Sequence, residues 1–378
     1  MIQRYVFPAL IYFGYMQSLW LILAYIPLYL ESLGFTHLQI SFLISLFSLF
    51  PLLLVIPFGV FSDRVSPKRL VILGLLLLSL FSLLVRFFES FRAFLILFVM
   101  GGLGTSIFLV SCSSLYYKIL GKGNRGKKIG FFSSIGMFGY GIGPFWGSVL
   151  LNAVSLQDLF TIIFFMILPF LGLSFFLLDV KPEPFRLSMY RKDLSRYEVL
   201  ILVAITFLIA IHFGAERTSL SLFLKFNAGV AENRIGIIFF CVGITLAMVI
   251  LSLGFVSDIH PNLKALLLSG LLISGTFNVA MLLVHSFSGA LAVRLLHVVG
   301  DSAYLIAQRI AISNLFTPTR IGGNIGVFNT TTTFGAFVGA LMSGIVPGYV
   351  YPFVVSGGLS LLGGLIFFFL NPDFSPKH

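Results

Sequence analysis

Twelve long apolar runs separated by short polar breaks dominate this sequence, at about 6–31, 38–61, 69–88, 92–118, 128–152, 157–178, 198–224, 233–257, 263–284, 287–314, 322–346 and 349–370. A hydrocarbon core about 30 Å thick needs roughly 20 apolar residues at a rise of about 1.5 Å each, and every run is long enough. In lipid, backbone N–H and C=O groups must bond within their own segment, which selects helices over strands for runs of this length. The alternating segments of a membrane barrel, roughly ten residues each, are absent. Only 10% of the 378 residues are charged, where a soluble domain carries roughly 25%, so no water-facing surface can cover the chain. The first run, from Val6 to Leu30, is too long for a signal-peptide core and lacks a small-x-small cleavage site; it reads as a retained helix. The expected fold class is an all-α membrane protein with twelve transmembrane helices.

Placing the first residues in the cytoplasm and letting each run cross gives a strong charge asymmetry. Seventeen Lys and Arg then fall in cytoplasmic segments, among them Lys118, Arg125, Arg186, Arg191, Lys264 and Arg320. Four fall outside (Arg86, Arg92, Lys225 and Arg234), and Arg217, Arg294 and Arg309 lie within runs. The positive-inside rule therefore puts both termini in the cytoplasm of a cell (inner) membrane. The net charge of +11 is explained by topology, so no nucleic-acid partner is inferred. The longest polar stretch, Asp179 to Arg196, carries Pro182 and Pro184 and separates six runs from six. This suggests units at 1–178 and 198–378 joined by a cytoplasmic linker at 179–197. Cys112 and Cys241 both sit inside apolar runs without metal-ligand spacing, and read as small hydrophobes.

The two sets of six runs resemble each other. After the second run the chain reads Gly59-Val-Phe-Ser-Asp63-Arg64-Val-Ser-Pro-Lys68-Arg69; after the eighth it reads Gly254-Phe-Val-Ser-Asp258-Ile-His-Pro-Asn-Leu-Lys264. Gly130, Gly139 and Gly143 in the fifth run have the spacing of Gly326, Gly335 and Gly339 in the eleventh. Two matches in the same order, six runs apart, point to a duplicated unit, and parallel repeats imply a cavity between them.

At these residues the sequence resembles the major facilitator superfamily. Gly59, Asp63, Arg64, Lys68 and Arg69 resemble the family's signature loop between helices 2 and 3, with Ser66 where the family has glycine. That resemblance implies two pseudo-symmetric six-helix bundles and a gating role for the loop, with Asp63 placed to meet a helix dipole or a cation. The plainer reading is a basic loop that only sets topology. In the fifth helix Gly139-Tyr-Gly-Ile-Gly143-Pro144-Phe-Trp-Gly147 is similar to the antiporter signature of drug–proton exchangers. Glycines four apart also suit plain close packing. Many drug exporters carry an arginine in helix 4 where this chain has Phe98; a similar pattern recurs instead around Arg294 in the tenth helix.

Ionisable residues within the spans mark the candidate site. A charge at the bilayer centre costs about 2.5–3.5 kcal/mol on insertion scales, so such groups must face protein or water and find partners. The seventh helix holds His212, Glu216 and Arg217; the tenth holds Arg294, His297 and Asp301, at i, i+3 and i+7 on one face. Counting depth along opposed helices puts Glu216, Arg294 and His297 at a common level. The alternatives are an ion-pair lock between the helices and a protonation and substrate site, with Glu216 or Asp301 carrying the proton. Arg309, nearer the cytoplasm, is expected to pair with Asp258. Tyr15 and Gln17 of the first helix and Asn329 of the eleventh are candidate cavity residues.

The reading is a secondary transporter working by alternating access, exporting a hydrophobic or amphipathic small molecule in exchange for protons, as a monomer in the lipid bilayer. Import of a polar solute and proton-driven lipid transport are the alternatives within transport; a channel or receptor is the alternative outside it. No enzyme is inferred, and neither a cofactor nor a metal: the sequence holds no histidine–glutamate zinc pattern, nucleophile elbow or phosphate-binding loop.

Overall fold

The computed structural model of the chain describes residues 2–62, 66–119, 125–179, 194–259, 262–316 and 321–374. Long apolar segments fold as α-helices in chain order: α1 (Ile2–Ser32), α2 (His37–Ser62), α3 (Pro67–Val85), α4 (Phe91–Ile119), α5 (Arg125–Leu150), α6 (Leu156–Ser174), α7 (Tyr197–Phe226), α8 (Glu232–Ile259), α9 (Leu263–Val279), α10 (Phe287–Leu315), α11 (Ile321–Ile345) and α12 (Tyr351–Leu370). All twelve expected helices form. The main differences are that α6 stops at Ser174 rather than 178, and α9 finishes in a 3₁₀ turn at Ala280–Leu283. Nine helices within the described residues are long and apolar enough to cross a membrane. The remaining three, α2, α5 and α11, contain side chains outside the described set.

Local chemistry sets the helix ends. The Ser155 hydroxyl accepts from the Asp158 N–H at 3.1 Å and donates to its carboxylate at 2.8 Å, starting α6. Asn262 accepts from the Ala265 N–H at 3.1 Å and Ser286 from the Gly289 N–H at 3.2 Å, starting α9 and α10. Gly34 and Gly229 hold left-handed φ values of 83° and 62° in the turns after α1 and α7, a conformation that favours glycine.

Packing pairs recur with an offset of six. α1 packs on α5 and α6 as α7 packs on α11 and α12; α4 packs on α2 and α3 as α10 packs on α8 and α9; α3 meets α6 as α9 meets α12. Contacts between the first six helices and the last six repeat likewise, α5 with α8 and α2 with α11, while α1 meets α7. Missing Cβ atoms allow the closest approaches. A Cβ on Gly139 would lie 2.9 Å from the Phe13 carbonyl, and one on Gly335 2.7 Å from the Phe207 carbonyl. Gly143 likewise abuts the Gln17 backbone and Gly339 the Ile211 backbone. The matched glycines of α5 and α11 thus do one job twice, seating each helix on α1 or α7.

The end where α1 and α7 finish is drawn together. Lys225 of α7 lies 2.8 Å from Glu31 of α1 and 3.0 Å from Glu232 of α8. Asn233 donates to Asn152 at 2.7 Å, and the Ser221 hydroxyl donates to the Ala24 carbonyl. Gly141 of α5 meets Gly243 of α8, where a Cβ on Gly141 would sit 2.9 Å from the Gly243 Cα. Cys112 is buried, Cys241 half-buried, and both are free thiols.

Candidate functional site

α7 and α10 run in opposite directions, so the residue order along one is reversed along the other. That pairs Glu216 with Arg294 and His297, and His212 with Asp301. The Arg294 guanidinium donates to Glu216 Oε1. His297 Nε2 sits between the two carboxylates, 3.0 Å from Glu216 Oε1 and 3.1 Å from Asp301 Oδ2. His212 Nε2 lies 3.4 Å from the same Asp301 oxygen. Arg294, His212 and His297 are almost fully inaccessible, and Asp301 and Glu216 are buried. The sequence-derived depth and the i, i+3, i+7 face therefore predict which groups meet.

The imidazole geometry constrains protons. His297 Nδ1 lies 2.9 Å from the Ser274 carbonyl on α9, and His212 Nδ1 faces the Ile209 carbonyl. A carbonyl only accepts, so both Nδ1 atoms carry hydrogen. Each Nε2 then faces carboxylate oxygen, and two lone pairs in contact repel. Every such contact needs a proton, on the ring or on the carboxyl. The cluster can therefore hold and redistribute protons between four titratable side chains on two helices. His297 Nε2, Asp301 Oδ1 and Arg294 Nε make no hydrogen bond among the described residues, so His297 stands at ion-pair distance from both carboxylates and capacity is left on both signs of charge.

His212, Glu216, His297 and Asp301 also offer ligand-type atoms all within 4.8 Å of one another, a grouping that could hold a metal ion. The sequence shows only its two halves, the i, i+4 pairs His212/Glu216 and His297/Asp301, because α8 and α9 lie between them along the chain. Arg294 already bonds Glu216, and a dication there would meet the guanidinium, so protons suit the site better.

Other expected residues are placed elsewhere. Arg217, adjacent to Glu216, turns away from the cluster, its guanidinium 5.7 Å from the ring centre of Trp20 on α1. Tyr15 is buried and stacked on Phe108 of α4 at 3.7 Å, and Gln17 is buried where α1 passes Gly143. Neither meets the cluster in any described hydrogen bond or ion pair. Asn329 is exposed on α11 and likewise makes no such contact among the described residues. Thr330 and Thr331 bond back to their own helix, at 2.9 Å each. Gly147 of α5 lies against the Tyr25 ring, and the Pro144 carbonyl accepts from the Tyr25 hydroxyl at 3.1 Å.

At the opposite end, Asp63 and Arg64 lie outside the described residues, as do the side chains of Gly59's segment and Asp258. Lys68 is half-buried and Arg69 exposed in the first turn of α3. Arg309 donates to the Ser133 hydroxyl of α5, joining the first six helices to the last six. Sequence reasoning missed Ser133, Ser274, Trp20 and Tyr140. Tyr140 lies beside Arg294 and has its ring 4.4 Å from that of Trp20.

A model of the Major Facilitator Superfamily matches residues 9–215 and again 201–378. An uncharacterised MFS-type transporter of Methanocaldococcus jannaschii is 23% identical over 334 residues, 84% of each chain. The quinolone resistance protein NorA of Staphylococcus aureus is 26% identical over 125 residues, covering 33% of this chain and 32% of that protein. The crystal structure of the human organic anion transporter MFSD10 (TETRAN) aligns with a TM-score of 0.70 at 17% identity, over 96% of this chain and 98% of that one. The last likeness is one of fold.

Proposed function

Because the chain belongs to the Major Facilitator Superfamily, and is thereby a multi-pass membrane transporter, we propose that it exports a hydrophobic or amphipathic small molecule in exchange for protons. The observation that carries the coupling is the buried set of His212, Glu216, His297 and Asp301, whose contacts require protons between them. In this reading residues 1–178 and 198–378 are two six-helix bundles joined by the 179–197 linker, and the chain acts as a monomer with both termini cytoplasmic. The recurrence of packing pairs at an offset of six supports that division. On the positive-inside reading the closed end, held by Lys225 and Glu31, faces outward. Residues 59–69 and Asp258, with Arg309, form the cytoplasmic gate.

The coupling works through Arg294. While its guanidinium bonds Glu216, the carboxylate is neutralised without a proton. Rocking of the bundles that draws α10 from α7 removes that counter-charge, and a buried carboxylate left alone must take a proton instead. His297 bridges both carboxylates and can pass a proton from one to the other, with His212 next in line. The groups facing this exchange are Arg294, His297 and Asp301 from α10, His212, Glu216 and Arg217 from α7, and Tyr140 from α5.

Proteoliposomes with an imposed pH gradient test the reading, using a quinolone, the class named for the Staphylococcus aureus relative, and a hydrophobic fluorescent dye. Glu216→Gln and Asp301→Asn are expected to lose pH-driven accumulation while keeping substrate counterflow. Full gradient-driven transport in both variants would refute the proton role. Linear, non-saturating flux in place of counterflow would favour a channel.

A further inference from the structure

We infer that Arg217 and Trp20 form a recognition site for the anionic head of an organic carboxylate, with an apolar or aromatic body lying against Tyr140. The inference rests on the transporter reading and names its substrate class.

Three arginines, Arg217, Arg294 and Arg309, lie in helix interiors away from the helix ends, and their surroundings differ. Arg294 has Glu216, and Arg309 has the Ser133 hydroxyl and reaches across to α5. Arg217 has no carboxylate within ion-pair distance among the described residues, and its Nε–H, although buried, has no acceptor. Its described companion is the face of the Trp20 ring, 5.7 Å away. A cation–π contact offsets only part of the cost of desolvating a guanidinium. The neighbouring carboxylate, Glu216, is turned to α10 and engaged by Arg294 and His297.

Trp20 carries the matching deficit. Its Nε1–H is also buried and has no acceptor among the described residues. Two donors without described acceptors thus belong to neighbouring side chains, one on α1 and one on α7, where the first six helices touch the last six. Both call for acceptors, and the charge calls for a negative one. A carboxylate supplies both and would bridge α1 to α7. The Tyr140 ring, 4.4 Å from Trp20 and 5.9 Å from the Phe239 ring, provides an aromatic wall beside the donors. The proton-holding cluster reinforces the sign: each proton between its histidines and carboxylates adds positive charge to a region that already contains two guanidinium groups.

The chain has two tryptophans, and Trp146 is exposed on α5, so Trp146→Phe leaves Trp20 as the sole reporter. In nanodiscs near neutral pH, Trp20 emission is followed while adding 4-phenylbutyrate, 4-phenylbutylammonium or 4-phenylbutanol, which share one body and differ in the head. Phenylbutyrate is expected to bind saturably and at least about tenfold more tightly than either analogue, as one charged hydrogen bond provides. Arg217→Gln should remove that preference, and Arg217→Lys should keep part of it. The proposal is overturned if phenylbutyrate does not saturate, if the ammonium or alcohol binds equally well, or if Arg217→Gln leaves the preference unchanged. Head-group selectivity in the Trp146→Phe protein decides the matter even if Arg217→Gln fails to fold. Ammonium binding as tight as that of phenylbutyrate sinks the anion class and leaves the transporter reading standing. Phenylbutyrate binding alongside intact gradient-driven transport in Glu216→Gln and Asp301→Asn sinks the proton role alone.

Discussion

Removing Arg294 isolates the energetics of the buried cluster. Arg294→Gln keeps a polar side chain on α10 and takes the charge from Glu216, whose remaining partner is His297 Nε2 at 3.0 Å. Breaking one side of a buried ion pair costs about 3–5 kcal/mol, and the surviving imidazole contact puts this case near 3 kcal/mol. Glu216→Gln is milder, about 2 kcal/mol, because the amide oxygen still accepts from the guanidinium. The double variant loses the charges together and buries no unpaired ion, so it should cost about 2–3 kcal/mol rather than the sum of about 5. Unfolding by SDS in mixed micelles, followed by tryptophan emission, gives the three free energies. A coupling of about 2 kcal/mol would stand well above the roughly 0.6 kcal/mol averaged by interhelical hydrogen bonds in a membrane protein. If the single costs add to within about 0.5 kcal/mol, the pair is not energetically linked and the argument for Arg294 as counter-charge fails.

Two further outcomes follow from packing and from the closed end. Gly143→Ala and Gly339→Ala drive a methyl into rigid backbone of α1 and α7, so each should lose about 1–3 kcal/mol of stability in the same assay. Gly358→Ala, with open space around its Cβ position, should be neutral or gain up to about 1 kcal/mol; equal losses at all three sites would refute the close-packing account. Lys225→Gln should change stability by less than about 1 kcal/mol, since the ion pair is partly exposed, yet it should raise cysteine accessibility at Ala24→Cys toward a water-soluble maleimide; unchanged labelling would mean the lysine does not hold that end shut.

Helix positions were legible in the sequence because membrane spanning demands continuous apolar length, which survives without knowledge of the neighbours. The glycine match between α5 and α11 was legible for a similar reason: backbone contact tolerates little else at Gly143 and Gly339. The α7–α10 cluster could be read because each of its charges needs a partner and depth along opposed helices limits the choices. Rotation about the helix axis was not legible. α1 is apolar all round, so nothing in its pattern told that Tyr15 would stack on Phe108 while Trp20 turned toward Arg217. The face that Asn329 occupies on α11 was not legible for the same reason, since small and hydroxyl residues there mark no single face. Arg309 could not be matched to Ser133 because one hydroxyl among many carries no distinguishing signal.

Lys225 touches two acids that belong to different parts of the molecule: Glu232 begins the very next helix, whereas Glu31 ends α1. Separation of α1 from α7 would detach the ammonium from Glu31 alone, and Glu232 would travel with it. The lysine never becomes a bare ion during such a movement, and the freed Glu31 emerges at a rim where water can receive it. A latch built this way resists separation of α1 from α7 only weakly and re-engages from a side chain already held in position.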